Sequence, residues 1–460
     1  MRTTYQDVEK PTVLLIEKEI EVPTLGDHVG LLACLEHAVS NHLFPGEIPV
    51  RFVVTKTDSR SYYCELGVLV GIDDSPVSRP RSIFEFSPRT TENIDQFNAV
   101  LVVPTGIGAE IGGHAGDAGP VAKLVASACD TLITHPNVVN ASDINEIPEN
   151  GLYVEGSVLS RFLLGTVALQ KVRSNRVLLV IPEHEDKRLA ELAINMASAA
   201  RTTLGLDCPQ VVKIDPSFQM EAKYSSSGSA VGQIENLKGL FEILVRYRST
   251  YDAVAISSVI DTPEGLHEEY FLKEGQMVNP WGGVEAMLTH SISMMFDVQS
   301  AHAPMMESME IANLHVGVVE PRMSAEAVTS CFLYSILKGL HRSPRIVPGE
   351  ASRGYPGLLS VSDVSCLIIP DGCVGLPTLA ALEQGIPVIA VRENRNQMKN
   401  DLEALPFPPG KLFVVDNYLE AVGVMAALKA GVTLSSVRRP LPQTKVIKET
   451  TAELLRTSRT

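Results

Sequence analysis

This 460-residue chain has no apolar run approaching the roughly eighteen residues needed to cross a bilayer. Its start, MRTTYQDVEK, lacks the basic-then-apolar layout of a secretory signal. A membrane partner is therefore not expected, and the cytoplasm is the expected location. Cysteine is sparse: seven residues, an odd number, scattered without metal-type spacing, which fits reduced thiols better than a disulfide framework. Basic charge is in the minority, with 39 Lys and Arg against 54 Asp and Glu and a net charge of −15. Phosphate backbones need a basic face, so nucleic acid is not expected as a partner. The stretch from Gly431 to Thr460 departs from this, with six Lys or Arg against two Glu, and reads as a solvated extension. A Walker loop and a dinucleotide fingerprint are also missing, and with them any recognisable cofactor motif.

What the chain does have is one pattern used three times: a strand ending in a glycine or proline loop, a helix, then a second strand. The copies begin at NAVLVVP, VNPWGG and VSCLIIP and end at DTLITHPN, DVQSAHAP and IPVIAVREN. Short apolar runs bounded by Gly and Pro fit strands buried on both faces of a parallel sheet. With 45% hydrophobic residues, the composition predicts a compact α/β protein of two or three domains. The expected fold is α/β, with doubly wound, mainly parallel sheets in two Rossmann-like lobes and a small N-terminal α+β unit. The expected boundaries are 1–72 for that unit, 73–93 for a linker, 94–250 and 251–431 for the lobes, and 432–460 for a basic tail. GLYVEGSVLSRFLLGTVAL is expected as a helix crossing between domains. Residues 217–233, rich in Ser and Gly, are expected as a loop, either passive or a lid over a site.

Ligands of parallel α/β sheets sit beyond the carboxyl ends of the strands, where the three loops would converge. The loop TGIGAEIGGHAGDAG holds six glycines in fifteen residues between a strand and a helix. So many glycines let backbone N–H groups approach an anion, or else serve a tight turn needing positive φ. The expected binding residues are Thr105, Gly106, Gly108, Gly112, Gly113, His114 and Asp117, joined by Gly282, Gly283, Asp371 and Gly372 from the other two loops. His135 and His302 stand where the last strand of their units stops, and imidazole is the side chain that exchanges a proton near neutral pH. Either could act as acid or base, ligate a metal with Glu307 or Glu310 nearby, or simply cap a strand end. His290, within a helix, reads as a satisfied interior residue.

The third unit, IIPDGCVGLPTLAALEQGIPVIAVREN, resembles two families locally. It is similar to the nucleotide-sugar loop of two-lobed glycosyltransferases, G-L-P-x-x-E-A followed by G-x-P-V-I-A, except that Ala380 replaces the ribose-binding glutamate. It also resembles the second cysteine motif of aspartate, glutamate and hydantoin racemases, which implies a helix-start thiol at Cys373 serving as nucleophile or base. No upstream cysteine motif completes that pair. Taken together, NAVLVVPTGIGAEIGGHAGDAGP, DTLITHPNVVN, GLYVEGSVLSRFL, VNPWGGVEAMLTH and SAHAP resemble an uncharacterised family of cyanobacteria and chloroplast-bearing plants, a domain of unknown function. The resemblance covers roughly residues 98 to 430 and implies no activity.

These residues predict an enzyme of isomerase or lyase type acting on a small anionic metabolite, a carboxylate foremost. His135 and His302 would move protons, and Cys373 would assist. The alternatives are a nucleotide-sugar-dependent transferase and a non-catalytic, ligand-binding regulatory protein. A homo-oligomer is compatible with the sequence, whereas cofactor and metal content stay open.

Overall fold

Apolar runs without alternation place the parallel strands. Asn98–Leu101, Thr131–Thr134, Val364–Pro370 and Val388–Val391 are buried along their whole length, as strands covered on both faces must be. The computed structural model describes residues 13–24, 30–72, 81–273, 275–314, 316–349, 355 and 357–448. Part of the expected linker (73–80) and the end of the basic tail (449–460) lie outside the described residues. The protein is a mixed α/β structure with two parallel sheets and one large antiparallel sheet. The first parallel sheet has six strands, in the order Leu412–Val415, Val388–Val391, Val364–Pro370, Asn98–Leu101, Thr131–Thr134, Gly151–Tyr153. From the central pair, where Leu101 lies opposite Ile368, successive strands step outward in both directions.

The second parallel sheet has four strands, in the order Val211–Ile214, Val177–Pro182, Ala253–Ser258, Gln299–Pro304. Each sheet thus collects strands differently from the expected lobes. Strands 98–153 pair with strands 364–415, while the second sheet spans 177–304 and straddles position 250. The helix Gly282–Phe296 has twelve of its fifteen residues buried, because it is covered on nearly every side. It packs against Gln299–Pro304, Ala230–Glu235, Ile48–Thr57 and Gly156–Leu163. The VNP segment before this helix forms no strand, so the second repeat lacks the first strand of its pattern. GLYVEGSVLSRFLLGTVAL is likewise not one helix. It gives the strand Gly151–Tyr153, the helix Gly156–Leu163 capped by the Glu155 carboxylate, and the strand Val167–Gln170.

The N-terminal strands lie in an antiparallel sheet. Leu14–Pro23, Ser61–Val70 and Ile48–Thr57 pair antiparallel, and the helix Leu31–Ser40 buries Leu31, Leu32, Leu35 and Val39 at helical spacing. The sheet does not stop there. The segment expected as a loop or lid is a β-hairpin, Gln219–Tyr224 against Ala230–Glu235, and its second strand joins Leu14–Pro23 through Leu15 opposite Ile234. The strand QMEAKY alternates, with Met220 and Ala222 inside, a period-two signal that the neighbouring serines and glycines obscure. Val374–Gly375 adds the opposite edge of the sheet.

Candidate functional site

A cleft of about 230 Å³ opens at the carboxyl ends of the parallel strands and is lined from both sheets and from the helix Gly282–Phe296. Thr105, Gly106, Gly113, His114, His135, Gly282 and His302 of the expected residues line it, as does Glu307. Gly108, Gly112, Asp117, Gly283, Asp371 and Gly372 do not line it. Cys373 lines a second cavity of about 130 Å³.

His135 caps the turn Pro136–Val139, and its Nε2 accepts the backbone N–H of Val103 at 3.1 Å. Its proton therefore sits on Nδ1, which has no partner among the described side chains. Burial, reinforced by the neighbouring His290, holds this imidazole down to about 4, so it is neutral at pH 7. His290 is not an idle interior residue. Its Nδ1 bonds the carboxylate of Glu155, and it lines both cavities together with His135. Burial alone would raise the Glu155 carboxyl. The charge and hydrogen bond of His290 and the bonds from Ser157 outweigh that and hold it at about 2. The Glu155 carboxylate accepts from the Nδ1 of His290, and among the described residues no side chain bonds the Nε2 of that ring.

His302 is engaged at both nitrogens. Nδ1 meets Glu285 Oε1 at 2.8 Å and Nε2 meets Ser258 Oγ at 2.9 Å. It contributes to the wall of the cleft, but neither nitrogen is free to exchange a proton with a ligand without breaking a bond.

Buried carboxyls of the protein already take amides of the glycine-rich loop. Gly112 N–H donates to Asp117 Oδ1 and Ala115 N–H to Glu326 Oε1, each at 2.6 Å. Ile111 N–H is taken by Asn394 and Glu110 N–H by the Arg395 carbonyl. Burial raises the carboxyls of both Asp117 and Glu326 to about 7, against lowering by the amide bonds each accepts. Tyr270 OH bonds His114 Nδ1 at 2.6 Å beside them. The glycines answer to packing: a Cβ on Gly113 would stand 2.2 Å from the Ala109 carbonyl oxygen, and one on Gly283 would stand 2.0 Å from that of Ala230. The lining contains Glu155, Glu285, Glu307 and Glu326 and no Lys or Arg among the described residues.

Two expectations from the third loop meet different surroundings. The Cys373 thiol is buried, and desolvation drives its pKa far above the ordinary thiol value, so the helix start does not make it a thiolate. Asp371 and Gly372 form a turn with φ +81° at Gly372, tied by Asn396 to the Asp371 carbonyl and by Asn400 to the Gly372 carbonyl. Ala380 is fully buried in the helix Leu376–Gln384. Among the described residues no group of three or more His, Cys, Asp or Glu is placed to hold a metal ion, and no helix is long and apolar enough to cross a membrane.

Comparison with known proteins gives a family and no activity. Residues 98–438 match the family model described as "Protein of unknown function (DUF3326)". A Synechococcus sp. protein (strain ATCC 27144 / PCC 6301 / SAUG 1402/1) described as an uncharacterized lipoprotein is 35% identical over 335 residues, or 72% of this chain and 91% of that protein. No solved structure matches the chain. From the span of the family match and this identity, the chain belongs to the DUF3326 family of proteins of unknown function.

Proposed function

We propose that the protein is an acid–base enzyme of isomerase or lyase type, with His290 as the base and His135 as the hydrogen-bond donor. One observation carries this reading. The two rings line the same space, and their known bonds leave the Nδ1 of His135 and the Nε2 of His290 without a partner among the described side chains. A substrate carbonyl oxygen on His135 Nδ1–H would be polarised by a neutral imidazole. The adjacent carbon acid would then lose its proton to His290 Nε2, with the Glu155 carboxylate stabilising the imidazolium that forms. His302, held by Glu285 and Ser258, shapes the wall instead of moving the proton.

The substrate in this reading is uncharged at its reacting end, in departure from the expected carboxylate. The lining offers four glutamates and no fixed cation, and the loop amides named above already have acceptors. The parallel sheets support a doubly wound, Rossmann-like reading, because their strands step outward on both sides of a central pair and the cleft lies at their carboxyl ends. A nucleotide-sugar transferase has less support, since Ala380 faces the core instead of a ligand.

The test is exchange of carbon-bound hydrogen in D2O. The protein is incubated with a panel of uncharged aldehydes and ketones, and loss of the α-proton signal is followed by NMR. Exchange of at least one compound, lost in His290→Asn, is the expected result. Exchange that persists in that variant, or none across the panel, removes the acid–base reading and leaves a binding protein.

A further inference from the structure

The second cavity is the feature that the proton chemistry leaves unused. It shares Thr105, His135, Gly156, Ala286 and His290 with the cleft, so the two spaces adjoin at the histidine pair. Beyond that neck its walls are mostly hydrocarbon, with Phe52, Ile83, Leu159, Met294, Ile369 and Met398 among them. The polar side chains in the wall are already occupied. Ser157 Oγ is on Glu155 at 2.5 Å, Ser160 Oγ is on the Gly156 carbonyl at 3.0 Å, and Arg161 is on Asp297 at 2.6 Å. Arg51 is held by Glu17 at 2.8 Å and Glu65 at 3.2 Å, and the Cys373 thiol is protonated. Water needs two to four polar partners to settle in a cavity, and most of this surface is hydrocarbon.

We infer that this chamber is a subsite for an apolar group of the substrate, whose reacting carbonyl end lies at His135 and His290. Its volume of about 130 Å³ is near that of apolar cavities of about 150 Å³ that take up benzene, so the group is of about six carbons. The neck has no room for a larger residue at position 156. Thr105, Gly156 and Ala286 are small, and a Cβ on Gly156 would come within 2.8 Å of His290 Cε1. The substrate class that fits is an uncharged carbonyl compound with one compact hydrocarbon arm, its polar remainder in the larger, glutamate-lined cleft. This deepens the acid–base reading and rests on it only for the word substrate; the chamber's affinity for hydrocarbon stands apart from turnover.

The probe is benzene, added to the full chain. Melting temperature should rise with benzene concentration, and the imidazole resonances of His135 and His290 should shift while those of His302 stay in place. Leu159→Trp fills the chamber and should abolish the rise. Should that variant fail to fold, Met294→Ala provides the check by enlarging the chamber, and naphthalene should then raise a melting temperature that it leaves unchanged in the parent. No benzene effect on the parent overturns the inference, as does an unchanged rise in folded Leu159→Trp or no gain of naphthalene binding in Met294→Ala. Benzene binding without any shift at His135 or His290 detaches the chamber from the histidines and also overturns it. Benzene binding with both shifts, but no carbonyl exchange, defeats the acid–base reading and leaves the apolar subsite standing.

Discussion

Glu155 holds the Nδ1 of His290 with one carboxylate oxygen and caps the helix Gly156–Leu163 with the other, through Ser157 N–H at 2.9 Å and Val158 N–H at 3.2 Å. One buried side chain therefore fixes both a helix start and the tautomer of the base.

Glu155→Gln should separate those two duties. The amide oxygen can still accept from the helix start, so the stability loss should be modest, about 1 kcal/mol by urea unfolding. The amide cannot take the Nδ1 proton as a carboxylate does, so any turnover should fall by on the order of a hundredfold. Glu155→Ala, which strips the cap and leaves His290 without its partner, should cost about 3 kcal/mol or more. Equal stability loss in the two variants would contradict the shared duty.

His135 makes stability depend on acid. The unfolded chain takes up its proton near pH 6.5 and the folded chain only near pH 4. Between these values the unfolded state binds more protons, so stability is full above pH 6.5 and falls as pH drops toward 4. The loss should be on the order of 3 kcal/mol, and His135→Gln should flatten that part of the denaturation-midpoint profile.

Glu326 acts in the opposite sense. Its carboxyl is raised from 4.5 to about 7, so the folded state binds the extra proton within that window. Its contribution is present below pH 4.5 and is lost as pH rises through about 7. Glu326→Gln should keep the Ala115 N–H bond and be the more stable protein at pH 8, by on the order of 1 kcal/mol. A variant that gains nothing at pH 8 would show that the fold does not disfavour the charged carboxyl.

Gly113→Ala tests what the glycine loop is for. Its Cβ would stand 2.2 Å from a backbone oxygen that has no flexible end to swing away. A loss of about 2 kcal/mol or more is expected from the forced backbone shift, read as a lower midpoint in urea before any ligand is added. A fold that tolerates the change fully would return the loop to a ligand-cradling role.

The strands of the parallel sheets were legible because continuous apolar runs such as VSCLIIP and NAVL allow little else. Their partnership was not. Leu101 and Ile368 lie opposite each other across most of the chain, and no local pattern reports a pairing at that distance. The hairpin at 219–235 was masked by its serine-rich turn, although QMEAKY alternates. At the site, His135 and His302 stood out by their places at strand ends, but position does not reveal which nitrogens are free. His290 was hidden inside a helix buried on nearly every side, where helical spacing separates no face from another. Glu155 left a faint signal, an acidic residue just before Gly-Ser at the start of an amphipathic stretch.

Ala230 touches two parts of the machinery at once, the glycine loop and the start of the helix Gly282–Phe296. Its N–H bonds the Gly106 carbonyl at 2.8 Å, and its own carbonyl leaves no room for a side chain on Gly106 or Gly283. The hairpin that carries it continues into a sheet with Leu14–Pro23, which precedes the family-matched region 98–438. Cutting the chain back to that region would strip the neighbour from Ala230–Glu235 and bare a row of backbone donors and acceptors, an invitation to intermolecular stacking. The N-terminal segment is thus a brace for the walls of the cleft, and a fragment without it should precipitate or lose the alignment of loop and helix before any chemistry can be assayed.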